Sequence, residues 1–122
     1  MTIRLRHRQI ALGFALGLIA VGMPLFAYPQ QLSPVGQGQA TYMGYCAGCH
    51  GMDGGGNGPF AAGMSPSPTN FKTATVATLS DNTIQQAVLV GKGPVMRGYA
   101  TILTASDLNA LLLYLRTLAT AP

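Results

Sequence analysis

Cysteine and acidic residues are both scarce in this chain. It has two cysteines and three aspartates in 122 residues, and it contains no glutamate. Because Cys46 and Cys49 are only three positions apart, they cannot form the several cross-links that hold many small exported domains together. A domain of about 95 residues with so few charged groups has little to stabilise it by itself. We therefore expect a large apolar cofactor to complete the core.

A basic cluster is also absent from the main part of the chain. The formal net charge is +4, from seven basic and three acidic residues, but three of the arginines precede residue 10. Seven minus three leaves four basic residues against three aspartates, so the remainder has a charge of only +1. Aromatic residues are not interleaved with basic ones, and nucleic acid is therefore not an expected partner.

The first 27 residues have the composition of a targeting segment. Arg4, Arg6 and Arg8 precede residues 10–27, which contain no charged residue. This pattern indicates either a cleaved signal peptide or an N-terminal membrane anchor over residues 1–27. Both place the rest of the chain outside the cytoplasm, in the periplasm or an equivalent lumen.

The segment after residue 27 divides into a linker and one domain. Residues 28–35 are rich in proline, glutamine and serine and predict a linker, so the domain is expected over residues 36–122. Apolar spacing predicts a first helix over 36–49, whereas residues 51–70 contain too much glycine and proline for regular structure. No segment alternates apolar and polar residues, and the expected fold class is all-α.

Two further helices are predicted from their caps. Ser80 can cap a helix over 81–90, and Thr104 with Asp107 can cap a last helix that continues to about residue 119. The last helix is rich in leucine at helical spacing. Its buried stripe is expected to contain Leu108, Leu111, Leu112 and Leu115.

Cys46, Cys49 and His50 have the C-x-x-C-H spacing of covalent haem attachment. In this chemistry each thiol adds to a vinyl group of the haem, and the imidazole binds the iron. Residues three and four apart share one face of a helical turn, so the three side chains can reach one ring. The sequence therefore predicts one covalent haem c at these residues.

Two other chemistries use closely spaced cysteines. A thioredoxin-like redox site normally occurs beside a βαβ unit, which this sequence does not predict. A structural zinc site needs four ligands, and the only other histidine, His7, lies in the basic leader. Haem attachment is the stronger interpretation.

Four segments together carry a resemblance to a known family. They are Gly38-x-x-x-Tyr42, the motif C-A-G-C-H-G at 46–51, G-G-G-N-G-P at 54–59 and G-K-G-P-V-M at 91–96, which the leucine-rich helix follows. In their order and spacing they resemble the class I, single-haem cytochromes c. The resemblance implies a small fold of helices around one haem, with His50 on one side of the iron and a methionine on the other. Met96 has the position of the family's ligand, and Met64 in the proline-rich loop is the alternative.

Further contacts are expected around the haem. The resemblance implies that the Pro59 carbonyl accepts a hydrogen bond from the ligating histidine. It also implies that Gly38 and Tyr42 allow the first helix to cross the last one closely. Arg97 and Tyr99 follow the predicted methionine ligand and bring donors that can contact the haem propionates.

Iron bound by both His50 and Met96 has no open coordination position, which favours electron transfer over substrate binding. We expect an electron carrier rather than an enzyme, cycling between Fe(III) and Fe(II) in a respiratory chain. Its expected partners are redox proteins such as an oxidase, a dehydrogenase or a quinol-oxidising complex. A second interpretation is a haem c subunit docked permanently in a membrane oxidoreductase complex. A third is a haem enzyme or gas sensor with a vacant sixth position, although no distal histidine is available.

Overall fold

The computed structural model of the protein describes residues 31–119. The predicted signal or anchor over residues 1–27 therefore lies outside the described residues. The elements follow in the order α1 (Pro34–Tyr45), α2 (Ala47–His50), α3 (Ala74–Thr78), α4 (Asp81–Val90), β1 (Gly91–Lys92), β2 (Met96–Arg97) and α5 (Ala105–Ala119). The all-α class is confirmed, with one very short hairpin in addition. No helix within residues 31–119 has the length and apolar character needed to cross a membrane.

Helix α1 begins two residues before its predicted start. The Ser33 hydroxyl accepts a 3.1 Å hydrogen bond from the amide of Gly36, and Pro34 follows at the first helical position. Proline is favourable there because its missing N–H would have no partner within the helix. Pro34 thus starts the helix instead of extending the linker. The single helix predicted over 36–49 is interrupted at Cys46, which lies between α1 and α2 with a φ of -119°.

The core forms where α1 crosses α5. The helices approach so closely that a methyl group added at Gly38 would lie 2.5 Å from the carbonyl carbon of Ala110. Tyr42 is fully buried, and its ring centroid lies 5.3 Å from that of Tyr114. Its hydroxyl donates a 2.6 Å hydrogen bond to the carbonyl of Gly51. The predicted close crossing at Gly38 and Tyr42 is confirmed.

Helix α5 has the predicted cap and buried face. The amide of Thr104 donates to the Asp107 carboxylate at 3.0 Å, and the amide of Asp107 donates to the Thr104 hydroxyl at 3.2 Å. This reciprocal pair satisfies two donors at the helix start. The predicted stripe is buried in full: Leu108, Leu111, Leu112 and Leu115.

Arg116 links α5 to the two preceding helices. Its guanidinium donates 2.6 Å hydrogen bonds to Asp81, the first residue of α4, and to the carbonyl of Leu79, just after α3. Ser80 caps α4 as predicted. Helix α3 was not predicted, because Val76 is its one buried residue and five residues carry no repeating apolar pattern.

Residues 91–97 form a short antiparallel hairpin between α4 and α5. The pairs are Gly91 with Arg97 and Lys92 with Met96. After the hairpin, the amide of Tyr99 donates to the carbonyl of Val88 in α4 at 3.0 Å. The backbone at Met96 therefore pairs with Lys92 across the hairpin, and the chain just after the hairpin is hydrogen-bonded to α4.

Candidate cofactor site

The three residues of the C-x-x-C-H motif line one cavity. Cys46 directly precedes α2, which contains Cys49 and His50, so a single turn presents all three side chains. The cavity, called the outer cavity here, has a volume of about 370 Å³. The two cysteines are not joined by a disulfide. The outer cavity thus brings together the residues predicted to attach haem.

A smaller inner cavity of about 90 Å³ continues from the outer one towards the core. The residues that line both are Cys46, His50, Thr69, Lys92 and Met96. The rest of the inner wall is mostly apolar and comes from α4 and α5, including Ile84, Val88, Leu111 and Leu115. The two cavities are therefore parts of one site, apolar at the inner end and more polar at the outer end.

Both predicted methionine alternatives reach this site. Met96 lines the outer and the inner cavity, whereas Met64 lines the outer cavity alone. Met96 belongs to β2 and pairs with Lys92 across the hairpin. Met64 lies in the proline-rich loop, where its amide donates to the carbonyl of Ala61 at 3.1 Å. The position of Met96, deeper and on a paired strand, makes it the better-placed thioether.

The imidazole of His50 is oriented by a backbone carbonyl. Its Nδ1 lies 3.0 Å from the carbonyl oxygen of Thr69. Because a carbonyl can only accept, this contact requires the proton on Nδ1 and leaves the lone pair of Nε2 available to a metal. The expectation that Pro59 supplies the carbonyl was wrong. The amides of Gly58 and Phe60, on either side of Pro59, donate hydrogen bonds to carbonyls of the C-x-x-C-H turn. The carbonyl that contacts the imidazole belongs instead to Thr69, later in the same loop.

Phe71 is a second contact of His50 that sequence reasoning missed. The two rings are stacked, with centroids 4.7 Å apart and planes at 26°. The amide of Phe71 donates to the carbonyl of Gly54 at 2.8 Å, which attaches this part of the loop to its beginning. An aromatic residue at the end of a glycine- and proline-rich loop was the available signal for Phe71. Thr69 acts through its backbone, so no side-chain pattern could have indicated it.

Arg97 and Tyr99 line the outer cavity, as their predicted role requires. The Tyr99 hydroxyl donates to the carbonyl of Tyr45 at 3.1 Å, and the two rings meet edge to face. The Arg97 guanidinium carbon lies 5.4 Å from the centre of the Tyr99 ring. These contacts hold the pair at the cavity mouth, and their contact with haem propionates stays a prediction.

The residues present fit a covalently attached haem. Burial, and to a smaller extent the neighbouring Cys49, raises the pKa of the Cys46 thiol to about 11, so that this thiol is neutral in its largely apolar surroundings. Two thiols, one imidazole with a free Nε2 and two thioethers face one cavity. Within residues 31–119, no group of three or more His, Cys, Asp or Glu side chains is placed to hold a metal ion.

The chain matches a known protein family over most of its length. Residues 35–119 match the family model described as Cytochrome c. The structure of the KustC0563 c-type cytochrome superposes with a TM-score of 0.58 at 27% sequence identity, covering 66% of this chain and 95% of that one. Among curated proteins, none matches the chain.

A second solved structure is the Kuenenia stuttgartiensis reducing HAO-like protein complex Kustc0457/Kustc0458. A chain of that complex superposes with a TM-score of 0.60 at 28% identity. The match covers 74% of the present chain but only 44% of the other. The similarity is therefore to less than half of a longer polypeptide.

Proposed function

The chain belongs to the cytochrome c family, and we propose that it carries single electrons through one haem c. Cys46 and Cys49 would attach the group, and His50 and Met96 would be its axial ligands. The observation that carries the proposal is that these four side chains line one cavity. When bound, haem c supplies an iron that alternates between Fe(III) and Fe(II).

The chain's own residues prepare this site for electron transfer. The Thr69 carbonyl and the Phe71 ring hold His50 in one orientation. The hairpin holds Met96 at the junction of the two cavities. If His50 and Met96 both hold the iron, no position would be left open to a substrate, which supports a carrier and not an enzyme.

The inner end of the site is lined mostly by apolar side chains. Leu111 and Leu115 of α5 are almost fully buried, and Ile84 and Val88 of α4 complete the apolar wall. A low-dielectric environment and a thioether ligand both disfavour the additional positive charge of ferric iron. We therefore expect a comparatively high reduction potential.

The proposed compartment is supported by the sequence pattern at the N-terminus. The arginines and uncharged run in residues 1–27 support export to the periplasm or an equivalent lumen, or anchoring on its membrane. There the carrier would exchange electrons with an oxidase, a dehydrogenase or a quinol-oxidising complex. Release into the soluble extracytoplasmic fraction with a new N-terminus near Tyr28 would select the soluble form.

A permanently docked haem c subunit is the second candidate. Its support is the similarity to a chain of a protein complex, in which the matched region is less than half of the longer chain. Purification under mild conditions distinguishes the two. A stable stoichiometric oxidoreductase partner supports the subunit, and isolation as a single chain supports the mobile carrier.

The ligand assignment is tested by Met96→Ala, with Met64→Ala as the matched control. We expect the first variant to lose the weak long-wavelength absorption band of an iron–methionine bond and the second to keep it. The opposite pattern would transfer the ligand role to Met64. Carbon monoxide binding by the native ferrous protein would contradict the closed site and support the sensor or enzyme interpretation. A mature protein of bare-chain mass, made alongside working haem-attachment machinery, would contradict the whole proposal.

A further inference from the structure

The chain just after Met96 is bound to the C-terminal end of α4. The last four carbonyls of a helix have no amide partner within that helix. In α4 the carbonyl of Val88 accepts a 3.0 Å hydrogen bond from the amide of Tyr99. The carbonyl of Leu89 accepts a 3.3 Å hydrogen bond from the amide of Ala100. The segment that follows Met96 therefore supplies partners for the end of α4 through its backbone.

Gly98 lies directly against the last turn of α4. A methyl group added at Gly98 would overlap the carbonyl oxygen of Leu89 and would lie 2.8 Å from the carbonyl carbon of Val90. Carbon atoms in contact prefer about 3.5–4.0 Å. The obstacles are backbone atoms of a helix, so they cannot rotate away as the end of a side chain can. Any side chain at position 98 therefore requires the segment after Met96 to move away from α4.

Gly91 makes a similar contact from the other strand of the hairpin. It pairs with Arg97 and has a φ of 87°, in the region that favours glycine. A methyl group added at Gly91 would overlap the carbonyl oxygen of Met96 and would lie 2.7 Å from the carbonyl carbon of Arg97. Two glycines thus allow the backbone around Met96 to pack closely, Gly91 within the hairpin and Gly98 on α4.

The position of the Met96 thioether depends on this backbone packing. Met96 lines both cavities at their junction, and Gly98 follows it by only two residues. Movement of the segment away from α4 would therefore also displace the thioether. We propose that Gly98 is a positioning residue that keeps Met96 on the iron and so keeps the sixth coordination position closed. This inference rests on the proposed haem function.

The first test compares carbon monoxide binding by the ferrous wild-type holoprotein and by Gly98→Ala. The added methyl group clashes only while the segment lies on α4, so it increases the fraction of protein with an open sixth position. Overpacking against backbone should raise this fraction by about tenfold to a hundredfold. Apparent affinity rises in proportion to the binding-competent fraction. We therefore expect carbon monoxide affinity to increase by that factor and the ferric long-wavelength methionine band to weaken.

Gly38→Ala is the matched control for general destabilisation. Its added methyl group also meets helix backbone, at Ala110 of α5, but Gly38 lines neither cavity. We expect this variant to melt at a lower temperature and to keep a carbon monoxide affinity near that of the wild type. Equal gains in affinity in the two variants would overturn the proposal. An unchanged affinity in Gly98→Ala would also overturn it.

Hydrogen exchange in the wild-type holoprotein is a second test that does not require a variant to fold. Coupling between a ligand and a backbone contact is reciprocal, so displacing the methionine should loosen the segment on α4. With excess imidazole occupying its place on ferric iron, the Tyr99 amide should exchange faster by about tenfold or more. The amide of Leu111, in the buried part of α5, should keep its rate. Unchanged exchange at Tyr99 would contradict the proposed role of the contact.

The methionine band of the wild-type protein separates the two levels of inference. If the wild type shows the band and Gly98→Ala behaves as Gly38→Ala does, the positioning role is refuted while the carrier function stands. If the wild type lacks covalent haem or the band, the proposed function itself fails.

Discussion

Replacing Gly38 by alanine tests the α1–α5 crossing on which the site is built. The added methyl group would lie 2.5 Å from the Ala110 carbonyl carbon and 3.0 Å from the Leu111 amide nitrogen, whereas carbon atoms in contact prefer about 3.5–4.0 Å. The obstacle is backbone, so α1 and α5 must separate by about 1 Å. Overpacking of this kind costs about 3 kcal/mol at the upper end of its usual range. Alanine recovers up to about 1 kcal/mol through its helix propensity, which leaves a net loss of about 2 kcal/mol.

For a domain of this size, that loss should lower the melting temperature by about 8–16 °C. Far-UV circular dichroism of the holoprotein measures it. Gly44→Ala is the control in the same helix, because an added methyl group there meets no atom within 4 Å. We expect Gly44→Ala to be neutral or stabilising by about 0.5 kcal/mol. A Gly38→Ala protein that melts within about 2 °C of Gly44→Ala would refute the close-crossing argument.

Two further predictions concern a buried hydroxyl and an exposed carboxylate. Tyr42→Phe removes the 2.6 Å hydrogen bond to the buried Gly51 carbonyl, and denaturant titration should show a loss of stability of about 1–3 kcal/mol. The control, Tyr45→Phe at an exposed ring, should cost under about 0.5 kcal/mol. Equal losses in the two variants would contradict the role of the buried hydrogen bond. Hydrogen bonds from Thr104 hold the pKa of Asp107 below its usual range, so this carboxylate stabilises the fold above about pH 4 and its contribution is lost as pH falls through the lowered pKa. The stability difference between wild type and Asp107→Asn should therefore narrow as pH falls from 6 to 3, and a constant difference would refute the linkage.

Short-range features of the site and the fold were predictable because they depend on residues three or four apart. The C-x-x-C-H spacing places its side chains on one helical turn, and the structure presents them to one cavity. The cap formed by Thr104 and Asp107 and the buried leucine face of α5 follow from the same periodicity.

Long-range features were not predictable from such patterns. Helix α3 has one buried residue, Val76, and depends on contacts with α5 that no local sequence signal describes. The choice of Thr69 over Pro59 as the partner of His50 depends on the path of a loop whose backbone, not its side chains, makes the contact.

The amino-acid sequence alone predicted covalent haem attachment, the family that the chain resembles and the positions of its main helices, since these predictions depend on local spacing. Tertiary structure decided which carbonyl orients the histidine, and it placed Lys92 beside Met96 by pairing two short strands. It also decided that every acidic side chain has a partner elsewhere, which leaves Lys92 and Arg97 at the cavity. The physical reason is that charge pairing and loop paths depend on distances between residues that are remote in sequence, and packing of the whole domain sets those distances.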